Sequence, residues 1–202
     1  MKSPNGVRKL IAEHGTLYSE QLGIRLKTKT EQELFKWFLA SVLFGKRIGE
    51  NIAMKTYREF ERARILTPKK ILEAGWDRLV ELLDTGGYVR YDFSTATRLL
   101  QLSKELLERF GERPLTAIHE IVRDNNELEL ALQSLKGIGP VTTNIFLREL
   151  RPVWKKADPD PMPVVKKIAQ KLGIDLESMN RKTEKFTRLE AALVRMRKKF
   201  KS

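Results

Sequence analysis

Apolar residues recur at helical spacing through most of this chain, and no segment alternates with the period of two that a half-buried strand requires. That regularity excludes sheet architectures and predicts an all-α protein. The stretch "EQELFKWFLASVLF" sets Leu34, Phe35, Phe38, Leu39, Val42 and Leu43 on one stripe, with Thr30 placed as N-cap. "TPKKILEAGW" offers Thr67 as N-cap and Pro68 at the first helical position, where a missing N–H is harmless. The same reading predicts helices over 76–84, 94–110, 115–123, 127–135, 140–150, 161–172 and 183–199. Connections are short and marked by Gly or Pro, with no low-complexity linker.

Charge narrows the partner. The 202 residues include 39 Lys and Arg against 26 Asp and Glu, a formal net charge of +13. The densest clusters are "KRIGENIAMK", "RPVWKK", "VVKK" and "RMRKKFKS". An excess this large on a folding-competent chain points to a polyanion, nucleic acid before a membrane. No apolar run approaches the roughly 18 residues of a membrane span; the longest, over 34–44, is interrupted by Lys36. The opening "MKSPNGVRKLIAEHG" lacks the apolar centre of a secretory signal, so an intracellular protein of cytoplasm or nucleoid is expected. The absence of Cys excludes disulfides, Cys-ligated zinc and a Cys-ligated iron–sulfur cluster. With only His14 and His119, a His-rich metal site is excluded as well.

One break in the helical pattern carries chemistry. In "SLKGIGPVTTN" two glycines flank Ile138, and Pro140 restarts the chain as a helix. A plain helix–helix turn needs one Gly; two allow the main chain to come close to a ligand. The N–H groups of such a hairpin and of the next helix's first turn are anion ligands. The expected phosphate-binding set is Lys136, Gly137, Ile138, Gly139, Val141, Thr142 and Thr143, with Ile138 plugging the groove between two helices. The bland alternative is a turn that happens to hold two glycines.

This hairpin resembles that of the helix-hairpin-helix DNA glycosylase superfamily, which includes endonuclease III and the adenine, alkyladenine and oxoguanine glycosylases. The resemblance covers 31–173, with the hairpin its specific part. "LFGKRIG" lies where the family has a loop between two early helices, and "LLDTGGYVRYDFSTATRLL" is similar to its glycine-aromatic-helix stretch. The resemblance implies a two-lobed helical fold: residues 1–48 and 151–202 as one lobe, residues 49–150 as the other, with the hairpin over about 125–150. It implies a monomer that binds double-stranded DNA containing a damaged base. It also implies no cofactor beyond a monovalent cation at the hairpin.

The family's catalytic Asp follows the hairpin, at a spacing matched by Asp158 and Asp160, nineteen and twenty-one positions after Gly139. Cleaving an N-glycosidic bond builds positive charge at the anomeric carbon. A carboxylate about 4 Å away at an effective dielectric near 20 stabilises it by roughly 4 kcal/mol, about three orders of magnitude in rate. Either Asp is equally suited to capping a helix before Pro159 or Pro161. A gapless match of "VVKKIAQKLG" instead puts Met162 at the Asp position. Val141 stands where bifunctional members carry a nucleophilic Lys, which implies a monofunctional, water-using enzyme. Lys46, Arg47, Tyr88, Tyr91 and Trp37 are candidates for a base pocket or wedge, with Trp154 a surface candidate. Two other readings stay open: a non-catalytic DNA-binding hairpin protein, and an abasic-site lyase using a different Lys.

Overall fold

The structure, a computed structural model, describes residues 4–200, and no β-strand occurs among them. Helices α1 (Pro4–His14) and α2 (Tyr18–Gln21) lead into α3 (Glu31–Phe44), where the Thr30 hydroxyl accepts the Glu33 amide as expected of the N-cap. Next come α4 (Glu50–Arg62) and α5 (Pro68–Gly86), the latter capped by Thr67 through the Lys70 amide at 3.2 Å. The two helices expected over 67–84 are this one element, bent at Gly75, whose φ of 73° only glycine adopts easily. Then follow α6 (Asp92–Phe110), α7 (Pro114–Ile121), α8 (Asn125–Gln133), α9 (Pro140–Leu150), α10 (Pro163–Leu172) and α11 (Glu184–Met196).

Helix α4 escaped the apolar-periodicity argument because its buried stripe is Ala53, Thr56, Tyr57 and Phe60 amid seven charged or amide side chains. Small residues are what this contact needs. A Cβ on Gly86 of α5 would collide with Thr56, so the two helices approach closely there.

Two hydrophobic cores form. The larger runs from Tyr18 to Ala157 and unites α2 through α9, with Trp37, Phe38 and Phe146 at its centre. The smaller joins Leu10 of α1 to Val165, Ile168, Phe186, Leu189 and Leu193 of α10 and α11. The division therefore falls elsewhere than the expected 1–48 boundary. Helix α3 belongs to the larger core, because its stripe packs against α9 and not against the chain termini; Trp37 Nε1 donates to the Phe146 carbonyl at 3.0 Å. Only α1 crosses over to join the C-terminal helices. Between the cores, Arg151 at the end of α9 pairs with Glu190 of α11, both fully buried.

Candidate nucleic-acid interface

The hairpin joins α8 to α9, and its local chemistry explains its shape. Asp124 caps α8 through the Glu127 amide at 3.0 Å. The chain then turns through Gly137, whose φ of 77° lies in the left-handed region. A Cβ there would strike the side chain of Arg98, which lies across the turn. Ile138 is 5% exposed and plugs the groove as expected, but its amide closes the turn onto the Leu135 carbonyl at 3.1 Å. The Ile138 N–H is therefore no phosphate ligand. Lys136 donates its amide to Glu105 at 2.8 Å and leaves its side chain in solvent.

The amides of Gly137, Gly139 and Val141 have no acceptor among the described residues, and all three residues reach the surface. Thr142 and Thr143 do not join them through their hydroxyls. Both side chains are buried, Thr142 against Gly45 at the end of α3, where a Cβ would collide with its hydroxyl. The hairpin thus offers main-chain donors at the start of a well-formed helix, the arrangement that favours an anion. The carbonyls of Lys136, Gly137 and Ile138 likewise accept no hydrogen bond among the described residues.

Beside the hairpin a cleft of about 700 Å³ opens between the two cores. Val141, Ile145 and Arg148 of α9 form one wall, and the 45–49 loop with Glu50 another. Met162, Val164, Val194 and Arg197 close it from the smaller core, over a floor of Tyr18. The structure brings Lys46 and Arg47 to this cleft together with Val141. Burial, reinforced by repulsion from Arg98, lowers the pKa of the Lys46 amine below that of an ordinary lysine. Glu50 accepts the Tyr18 hydroxyl at 3.3 Å.

Neither Asp158 nor Asp160 lines this cleft; Met162 does, in line with the gapless match. Both aspartates are held by cations that the residue spacing did not single out. Arg181 reaches Asp160 at 2.7 Å and Asp158 at 3.0 Å, Lys166 reaches Asp160 at 3.3 Å, and Arg151 Nε lies 3.3 Å from Asp158. The Arg181 guanidinium holds the Asp160 carboxyl below the usual carboxylate range. They do not cap α10 either: its N-cap position is Met162. The segment is pinned further by Lys182, which donates to the carbonyls of Lys155 and Ala157, and by Asn144, which donates to that of Asp160 at 2.7 Å. The acidic stretch is a latch between the end of α9 and the segment that leads into α11.

Three aromatic candidates also lie elsewhere than expected. Trp37 is fully buried in the larger core, and Tyr88 is buried with its hydroxyl on the Leu43 carbonyl at 2.7 Å. Trp154 stacks on His119 with centroids 4.4 Å apart and is also buried. Tyr91 stays half-buried, edge-on to Tyr88. Among the described residues no group of three or more His, Asp or Glu could hold a metal ion, and no helix is long and apolar enough to cross a membrane. No protein-family model matches this chain, and no curated protein or solved structure matches it.

Proposed function

We propose that this protein binds the sugar–phosphate backbone of duplex DNA through its hairpin, independently of sequence, and lays the adjoining strand along the basic cleft. The observation that carries this reading is the set of partnerless amides at Gly137, Gly139 and Val141, with Lys46 and Arg47 sharing the cleft of Val141, and Arg98 and Lys136 sharing the concavity of Gly137. Contacts of this kind position a protein without reading bases, and their strength falls steeply with salt. Binding without Asp-assisted hydrolysis is the version the geometry favours, since Asp158 and Asp160 are ion-paired outside the cleft. Fluorescence anisotropy with unrelated duplexes tests it. Equal affinity across sequences is expected, and a preference of a hundredfold for one sequence would contradict it.

Base-excision chemistry is the second reading, favoured by two groups inside the cleft. Glu50 supplies a carboxylate and Lys46 an amine with a lowered pKa, the condition for a Schiff-base nucleophile. On this reading a damaged base is extruded into the cleft, and Glu50, not either Asp, faces the sugar. A panel of oligonucleotides, each carrying one lesion, scored for base release after alkali, decides it. Borohydride trapping on an abasic duplex reports the lyase version, with Lys46→Gln abolishing the adduct.

A further inference from the structure

A second concavity borders the hairpin, and the DNA-backbone reading leaves two exposed aromatic side chains in this region without a role. Phe93 is 59% exposed and Trp76 is 39% exposed, although both are large and apolar. Their rings lie 5.3 Å apart, and Trp76 Nε1 donates to Thr97 Oγ1 at 3.0 Å, which fixes the indole plane. Trp76 follows directly on the bend at Gly75 and meets α6 at Thr97 and Phe93. Phe93, Thr97, Arg98, Lys136 and Gly137 line one concavity, so Phe93 shares it with the hairpin, and Trp76 adjoins through Phe93 and Thr97. Neither Arg98 nor Lys136 makes an ion pair among the described residues.

Two exposed aromatic rings, tilted by 40° to one another, next to unpaired cations and free main-chain donors suit a ligand that alternates flat apolar rings with anionic links. Paired bases in a duplex hide their faces, so only an unpaired base presents one. We propose that Trp76 and Phe93 form a stacking platform for an unpaired nucleobase of a single strand whose phosphates lie along Arg98, Lys136 and the hairpin. This site rests on the backbone-binding reading and adds to it a preference for junctions where duplex DNA opens into a single strand.

The chain supplies its own probe, because of its three tryptophans Trp37 and Trp154 are buried and Trp76 alone is exposed. The full-length protein is titrated with a duplex, with the same duplex bearing a thymidine overhang, and with one bearing an abasic overhang of equal length. All three bind, and only the thymidine overhang quenches the tryptophan emission. Trp76→Phe abolishes the quenching. Phe93→Ala weakens the thymidine overhang about tenfold, within the range for losing one base–aromatic stack, and leaves the other two DNAs unchanged; Phe93→Tyr restores it. Binding of all three without quenching, or an equal effect of Phe93→Ala on all three, overturns the platform alone. Failure to bind the plain duplex overturns the backbone reading and the platform with it.

Discussion

Basic side chains on the outer helices and those around the hairpin live under opposite conditions. Along α4, α5, α6 and the turn into α8, Arg58, Arg62, Lys70, Arg78, Lys104, Arg109 and Arg123 each pair with a Glu three or four residues away. Around the hairpin and cleft mouth, Lys46, Arg47, Arg98 and Lys136 have no carboxylate within ion-pair reach among the described residues. Lys46 and Arg98 even repel one another. Exposed helical pairs are worth little and are screened by salt. Uncompensated cations clustered beside free amides raise the energy of the empty site, and a polyanion relieves it. The cations around the hairpin thus differ from those seven in having no intramolecular counter-charge among the described residues.

The contrast is sharpest where a pair is buried. Arg151→Met leaves Glu190, 1% exposed, without its partner, and is expected to lower unfolding stability by about 3–5 kcal/mol in urea titrations. Arg78→Ala on the outer surface is expected to change it by under about 0.5 kcal/mol. A similar result for both would erase the distinction between latch and surface. Next in size, Gly137→Ala forces a left-handed side chain, at about 1–2 kcal/mol, and displaces Arg98. Anisotropy should then show duplex affinity about tenfold weaker.

Salt titration separates the two sets of cations directly. Replacing Lys46, Arg47 or Lys136 by Ala should each reduce the slope of log K against log salt by about 0.9. Lys70→Ala and Arg78→Ala should leave it alone, and equal effects from both sets would break the comparison. The smallest effect concerns pH. Burial, helped by nearby Lys156, depresses the His119 pKa below its ordinary value of 6.5. The folded state then binds fewer protons than the unfolded one. The contribution is complete above pH 6.5 and is lost as pH falls through the folded value. Thermal melts between pH 5 and 7 should show His119→Phe removing that slope.

Helix order and the hairpin were legible because both depend on local rules. Apolar spacing, Thr caps at Thr30 and Thr67, and Pro140 after two glycines act within a few residues. Helix α4 was hidden because Thr56 sits in its buried stripe at the contact with Gly86, leaving Tyr57 and Phe60 as its large buried aromatics among seven charged or amide side chains. The role of Asp158 and Asp160 was hidden for a different reason. Arg181 lies more than twenty residues further along and Arg151 some way before, so only the folded chain brings those charges together. Glycine spacing announced the hairpin; it did not reveal that the Ile138 amide is spent on the Leu135 carbonyl, or that both threonines turn inward.

Amide chemical shifts offer the most immediate view of the grip. In a ¹H–¹⁵N spectrum recorded as unlabelled duplex is added, the resonances of Gly137, Gly139 and Val141 should move downfield together and saturate, while that of Ile138 stays nearly still. Saturating DNA that leaves those three unmoved, with the shifts gathered around Arg58, Arg62, Lys70 and Arg78 instead, would place the interface on the ion-paired cations and contradict the account.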